Sequence, residues 1–424
     1  MRLKAWRLLV VVLTAGLAAP ALTAAPTQAG GSHANPAVIT EWNTISGRTI
    51  YTENASPVPV GSLYFGFVSL AVYDAVVAIE GRYEPYLKQP KVRARASSEA
   101  AAATAAYDVL RYYFPASAAK LATDYAASLG SIPTGRAKVR GIEVGRHAAA
   151  TLIQARLNDG RNANIQLTVT PAPGVWRPTP DALAPMLAPW LGFVVPLALR
   201  SPTQFRLPGP DPIRSKAYAR DFAEVKAKGA LVGSTRTEAQ TRTALFWNAN
   251  AVLQYETAMR GQVAARGMNI VDSARSFALL STSIADALIA CWRSKYDYAY
   301  WRPITAIRLA GTDGNRATKP DPSWMSPLQT PPYPDYVSGH ASATGAATGT
   351  FSYLFGARSL ELDIPALVTP ASRHFDSAAA LDAETMNARI WLGFHFRKAM
   401  TDANRLGHRT AQWTITHEFR PVHS

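Results

Sequence analysis

The sequence predicts an all-α protein, with bundled helices, expected as two four-helix-bundle-like halves, and long proline-rich loops. Three observations lead there. Apolar residues recur at helical spacing in one segment after another. No stretch shows the strict alternation of a half-buried strand, and no fixed-period repeat marks a solenoid. Helical segments are punctuated by Pro and Gly, with proline clusters concentrated between residues 171 and 214.

The N-terminal stretch MRLKAWRLLVVVLTAGLAAPALTAAPTQAGG has Arg2, Lys4 and Arg7 ahead of an apolar run from Leu8 to Leu22. Small residues follow, with Thr27-Gln28-Ala29 as a cleavage site, so residues 1–29 read as a secretory signal peptide and the expected location is extracellular. Residues 30–424 are then expected to form a single all-α domain. Its first strong helix is GSLYFGFVSLAVYDAVVAIE (61–80), nearly long enough to span a membrane but carrying Asp74, which favours a central core helix. SSEAAAATAAYDVLRYYFP (97–115) is an Ala-rich helix stopped by Pro115. GRAKVRGIEVGRHAAATLIQARLN (135–158) is amphipathic and ends before Asp159-Gly160. The irregular 171–214 stretch, with PAPGVWRPTP and LPGPDP, reads as a covering loop over a compact body. Helices resume behind an expected capping box, Thr235-x-x-Glu238, through AQTRTALFWNANAVLQYETAM. A further helix is expected from near Asp272 to Pro303.

Composition narrows the function. The chain has 424 residues and a formal net charge of +15, or 15 − 3 = +12 without the three basic residues of the leader. That balance favours anionic ligands, while the lack of a Lys/Arg run or arm argues against nucleic acid. The only cysteine, Cys291, lies in the apolar stretch ALIACW and reads as a buried, inert thiol. Neither CxxC nor HExxH occurs, which argues against a structural zinc site or a zincin.

Three islands carry the chemistry. In Lys295-Tyr-Asp-Tyr-Ala-Tyr-Trp-Arg302-Pro303 the two cations stand seven apart, which on one helix is a difference of about 20° and about 10 Å. Both are thus expected to reach one site from one helix face. In YPDYVSGH, Ser338 is an N-cap for the Ala-rich helix that follows. Gly339 lets the backbone approach an anion there, and His340 can move a proton. In Ala388-Arg389-Ile-Trp-Leu-Gly393-Phe-His395, Arg389 and His395 can meet only if the chain bends at Gly393.

Taken in order, Lys-x6-Arg-Pro, Ser-Gly-His and Arg-x5-His resemble the three-part signature of the superfamily of vanadium-dependent haloperoxidases and type 2 phosphatidic acid phosphatases. LAVYDAVVAIEGRYEPYL, GVWRPTP, FWNAN, KYDYAYWRPITAIR, DPSW, TPPYPDYVSGH and ARIWLGFHF look like its secreted bacterial haloperoxidase branch, over about residues 36–412. The resemblance implies an oxyanion cage in which Lys295, Arg302, Arg389, Ser338 and Gly339 hold vanadate or phosphate. It implies His395 as the vanadium ligand or phosphorus nucleophile, His340 as the acid–base residue, and hydrogen peroxide and halide, or a phosphoester, as reactants. Trp292 and Tyr333 resemble the halide-side wall of the chloroperoxidase pocket. Two positions depart from the pattern. Val337 stands where proline is common, and Ala399 where the wider superfamily often has an aspartate, leaving Asp402 or a backbone carbonyl to orient His395. Haloperoxidase is the favoured expectation and a soluble acid phosphatase the alternative. A catalytically silent binding protein would show an eroded cage, and this one is complete.

Overall fold

The computed structural model describes residues 34–422 except 93, 181 and 368; the expected signal peptide at 1–29 lies outside them. The described chain begins with α1 (Ala37–Gly47), followed by α2 (Val58–Glu80), α3 (Ser98–Tyr113), α4 (Ala118–Gly130) and α5 (Arg136–Ala155). After the irregular stretch come α6 (Lys216–Lys228), α7 (Glu238–Phe246) and α8 (Ala251–Ala265). The last group is α9 (Ile270–Tyr298), the short α10 (Pro303–Arg308), α11 (Gly339–Phe355), α12 (Ala378–Trp391) and α13 (Arg397–His417). The described residues are 58% helical, so the all-α expectation holds. One element was not anticipated: β1 (Leu362–Pro365) pairs antiparallel with β2 (Ser372–Phe375), Leu362 opposite Phe375. Strands of four residues are too short to register as alternation.

Two helix groups form the body. In the first, α2, α3 and α5 pack together with α4 on α3; in the second, α9, α11, α12 and α13 do the same. Helix α2 lies along α9 and joins them, with the Ser69 and Ser281 hydroxyls 2.9 Å apart across the seam. Both joining helices are apolar and long enough to cross a membrane, but 83% and 100% of their most apolar windows are buried inside the protein. Burial in this core accounts for their composition.

Local chemistry moves two of the expected boundaries. The capping box sits two residues later than expected: Thr237 Oγ1 accepts from the Gln240 amide, and the Gln240 side chain accepts from the Thr237 amide. The helix expected to run through FWNAN is broken at Trp247–Asn250, where Asn250 caps α8 by accepting from the Leu253 amide. The 171–214 stretch is a covering segment, as expected. Trp176 N–H donates to Ala299 O, Trp301 N–H to Gly174 O, and Leu187 N–H to Pro332 O. Further back, the buried Asp286 of α9 accepts from the amides of Leu197, Ala198 and Leu199 at 2.6–2.7 Å.

The second group positions the site. Helices α11 and α13 approach so closely that a Cβ on Gly345 would lie 2.2 Å from Asn404 O, and one on Gly407 2.2 Å from Ser342 O. Ser338 N–H also donates to Ala399 O, so the starts of these two helices are tied together.

Candidate active site

The first island reaches its position differently from the sequence expectation. Lys295 is on the last turn of α9, which ends at Tyr298, and Ala299 turns the chain with φ 42°. Arg302 is the N-cap of the next helix, with Pro303 at its first position. The two cations therefore do not share a helix face; a turn between two helices brings them together. Lys295 Nζ donates to Pro334 O at 2.7 Å and Asp335 O at 3.2 Å. Arg302 Nε donates to Tyr333 O and Nη1 to Phe394 O, both at 2.7 Å. Both cations are fully buried, and main-chain carbonyls take most of their hydrogen bonds.

Ser338 caps α11 as expected, its hydroxyl accepting from the Ala341 amide at 3.4 Å. Gly339 is the first helical residue, and a Cβ there would press on the Trp292 ring at 3.2 Å. His340 Nε2 lies 3.3 Å from Ala249 O, so the tautomer with Nε2–H donating leaves the Nδ1 lone pair available.

The bend between Arg389 and His395 exists. Helix α12 ends at Trp391, and Gly393 adopts φ 72° with its amide donating to Ile390 O. A Cβ at Gly393 would sit 2.6 Å from Gly229 O, so glycine is required by backbone conformation and by the close approach. Arg389 Nη1 donates to Trp247 O at 3.0 Å. The break in the helix at FWNAN thus serves the site. Carbonyls that a continuous helix would occupy are free to hold Arg389, through Trp247 O, and His340, through Ala249 O.

His395 joins all three islands. Its Nε2 is 3.1 Å from Arg302 Nη1, and its Nδ1 is 2.7 Å from Asp335 Oδ1. An Nδ1–H donating to the carboxylate leaves the Nε2 lone pair facing the cations. Burial, and then Arg302, Lys295 and Arg389, push its pKa well below the usual histidine value. Burial and Arg389, followed by Arg302 and Lys295, do the same to His340. Both imidazoles are therefore neutral at pH 7. Burial brings Lys295 down to about 7, with Arg302 adding to the fall and Cys291 and Asp335 opposing it. Arg389 is lowered to about 10, chiefly by burial.

The charge balance shows what such a site accepts. Three buried cations converge on two neutral histidines, and Asp335 is the carboxylate that faces them. Arg302 Nη2 and Arg389 Nε are buried without a protein partner. Unpaired guanidinium N–H groups in a dry, positively charged pocket call for oxyanion oxygens, which fits vanadate or phosphate. Trp292 and Tyr333 flank the cations, their ring centroids 5.0 Å apart; Lys295 Nζ lies 4.9 Å and Arg302 Cζ 4.8 Å from the Tyr333 centroid. Trp292 Nε1 donates to Leu187 O in the covering segment.

Comparison with known proteins finds similarity to vanadium haloperoxidases. Residues 275–424 match the model of the second helical-bundle domain of the vanadium chloroperoxidases (VCPO). The match spans Lys295, Arg302, Ser338, Gly339, His340, Arg389 and His395. It is 30% identical over 178 residues to the vanadium chloroperoxidase of Curvularia inaequalis, spanning 31% of this chain and 28% of that protein. Among solved structures, a bacterial vanadium-dependent iodoperoxidase superposes with a TM-score of 0.77 at 22% identity, covering 92% of this chain and 97% of its own. A bacterial vanadium-dependent chloroperoxidase in its holo form gives a TM-score of 0.68 at 19% identity, with 88% and 97% covered. These two likenesses establish the fold of the haloperoxidases.

One site residue escaped the sequence reading. Asp335, not Asp402, faces His395. Asp402 accepts from the Tyr336 hydroxyl at 2.7 Å and pairs with Lys398 and Arg405. Asp335 was in plain view in YPDYVSGH, five residues before His340. Its contact with a histidine 60 positions away has no local signature.

Proposed function

We propose that the protein is a vanadate-dependent haloperoxidase that oxidises halide with hydrogen peroxide, exported by its N-terminal leader. The observation that carries this reading is the pair of unpartnered buried guanidinium atoms beside a neutral His395 whose Nε2 lone pair faces them. His395 Nε2 would ligate the vanadium of vanadate. Lys295, Arg302 and Arg389, with the Ser338 hydroxyl and the Gly339 amide at the start of α11, would neutralise and hold its oxygens. Bound there, vanadate supplies a Lewis acid that activates peroxide toward halide.

The chain's own residues do the rest. Asp335 fixes the ring and tautomer of His395. His340 is neutral, and its free Nδ1 is suited to take a proton from peroxide as it binds. Lys295 and the two arginines keep positive charge where negative charge gathers. Trp292 and Tyr333 wall the side where halide would enter. The likeness to a named chloroperoxidase and a named iodoperoxidase supports halide oxidation over phosphoester hydrolysis.

The deciding test assays purified mature protein, with and without orthovanadate, for peroxide-dependent bromination and separately for aryl phosphate hydrolysis. Bromination that requires vanadate is expected. Hydrolysis inhibited by vanadate, with no halide oxidation, would show a phosphatase instead. His395→Ala should lose activity and vanadate binding; retention of either removes the site assignment.

A further inference from the structure

Beside Asp335 lies a small chamber of about 10 Å³. Its lining includes Asp335, Tyr218, Asp221, Tyr300, Tyr336 and Ala399. That volume is about the space one water molecule needs.

Most polar groups around it already have protein partners. Tyr300 Oη donates to Asp211 O at 3.1 Å, and Tyr336 Oη to Asp402. Asp221 Oδ2 accepts from the Lys398 amide at 2.7 Å. Two buried polar atoms on lining residues have no partner in good hydrogen-bond geometry: Asp335 Oδ2, on a residue 1% exposed, and Tyr218 Oη, likewise on a residue 1% exposed. The Phe396 amide lies near the Asp335 carboxyl and the Trp301 indole near the Tyr218 hydroxyl without satisfying these atoms. A carboxylate oxygen can only accept here, and a phenol has a proton to donate. Leaving both unsatisfied in the interior would be costly, because each loses its hydrogen bonds to water without replacement.

We propose that the chamber holds one structural water, donating to Asp335 Oδ2 and accepting from Tyr218 Oη, and that Tyr218 is thereby a positioning residue for His395. The inference rests on the reading of His395 as the residue that binds the oxyanion. Asp335 Oδ1 takes the imidazole Nδ1–H at 2.7 Å. With Oδ2 also tied down, the carboxylate plane cannot rotate, and the ring it holds keeps Nε2 on the cage side. The Tyr218 ring is itself clamped between Phe222, Phe396 and Trp301, with centroids 5.5–6.4 Å away, so its hydroxyl has a fixed aim.

Tyr218→Phe removes only the hydroxyl and keeps that packing. Two measurements on anion-free mature protein test the idea: high-resolution crystal structures of wild type and variant, and ¹⁵N-histidine NMR of the His395 Nδ1–H. The wild type should show a water within hydrogen-bond distance of both atoms and a slowly exchanging Nδ1–H. The variant should lose the water, exchange that proton at least about tenfold faster, and bind orthovanadate about tenfold more weakly, the lower end of what an outer-sphere partner contributes. A wild-type crystal with no water at Asp335 Oδ2 overturns the proposal even if the variant does not fold. So does a folded variant with unchanged exchange and affinity. A wild type that holds the water and the fixed ring yet binds no vanadate supports the positioning role and strikes instead at the haloperoxidase reading.

Discussion

Replacing Asp335 with asparagine keeps the volume and removes the charge that faces Lys295, Arg302 and His395. Two losses follow. The 2.7 Å contact with His395 Nδ1 changes from a charge-assisted hydrogen bond to a neutral one. Such a change is about 1–1.5 kcal/mol, or about tenfold in any equilibrium that needs the ring held. Lys295, already at about 7, also loses a carboxylate that favours its charged form. A further fall of about one pH unit in its midpoint is about 1.4 kcal/mol above that midpoint and nearly nothing below it. Burial raises Asp335 itself to about 7, so the lost charge is felt mainly above that pH. Orthovanadate should bind Asp335→Asn within a few-fold of wild type at pH 6 and about a hundredfold more weakly at pH 8. Calorimetric titration of both proteins at the two pH values measures the ratio, in which vanadate's own ionisation cancels. Circular dichroism confirms that the variant is folded. Affinities within twofold of wild type at both pH values would refute the orienting role of Asp335 and its influence on Lys295.

Other outcomes are equally specific. Gly393→Ala must place a Cβ 2.6 Å from Gly229 O at φ 72°, so a loss of at least about 1 kcal/mol in denaturant unfolding is expected, together with weaker vanadate binding as His395 is displaced. Unchanged affinity would separate the bend from the site. Glu256 is buried, accepts from Asn43 and Ser281, and is pushed up to about 7 by burial. The folded state then holds a proton between pH 7 and the ordinary carboxylate range that the unfolded state has released, so this group favours folding more as pH falls. The stability gap between wild type and Glu256→Gln should shift toward wild type from pH 8 to pH 5, by at most about 1.4 kcal/mol per pH unit; a pH-independent gap in urea melts refutes the shift. Asn250→Ala removes the cap of α8, lowers stability by about 1 kcal/mol, and loosens the carbonyls that hold Arg389 and His340; the readouts are thermal unfolding and vanadate affinity.

The sequence made the helical architecture and the residues of the cage legible, because helical periodicity and the three spaced motifs are local patterns. It did not show how those residues converge. Lys295 and Arg302 were expected on one helix face, yet Ala299 turns the chain between them, and a left-handed alanine leaves no compositional mark. The capping box and the length of the helix through FWNAN depended on which of several Thr and Asn residues capped which turn, a choice made by tertiary packing. Asp335 was missed for the same reason: its role is set by an imidazole on a distant segment. Gly393 was read correctly because the motif made sense only if the chain bent there.

The cage cations are gripped from behind by peptide carbonyls: Pro334 and Asp335 for Lys295, Tyr333 and Phe394 for Arg302, Trp247 for Arg389. A peptide carbonyl is present whatever side chain its residue carries. The side chains of Tyr333, Phe394 and Trp247 can therefore be exchanged for others that fit without deleting an acceptor from the anion site. For an engineer, the Tyr333 wall and the frame holding the charge are separately editable, so halide preference is open to redesign while the oxyanion site stays intact.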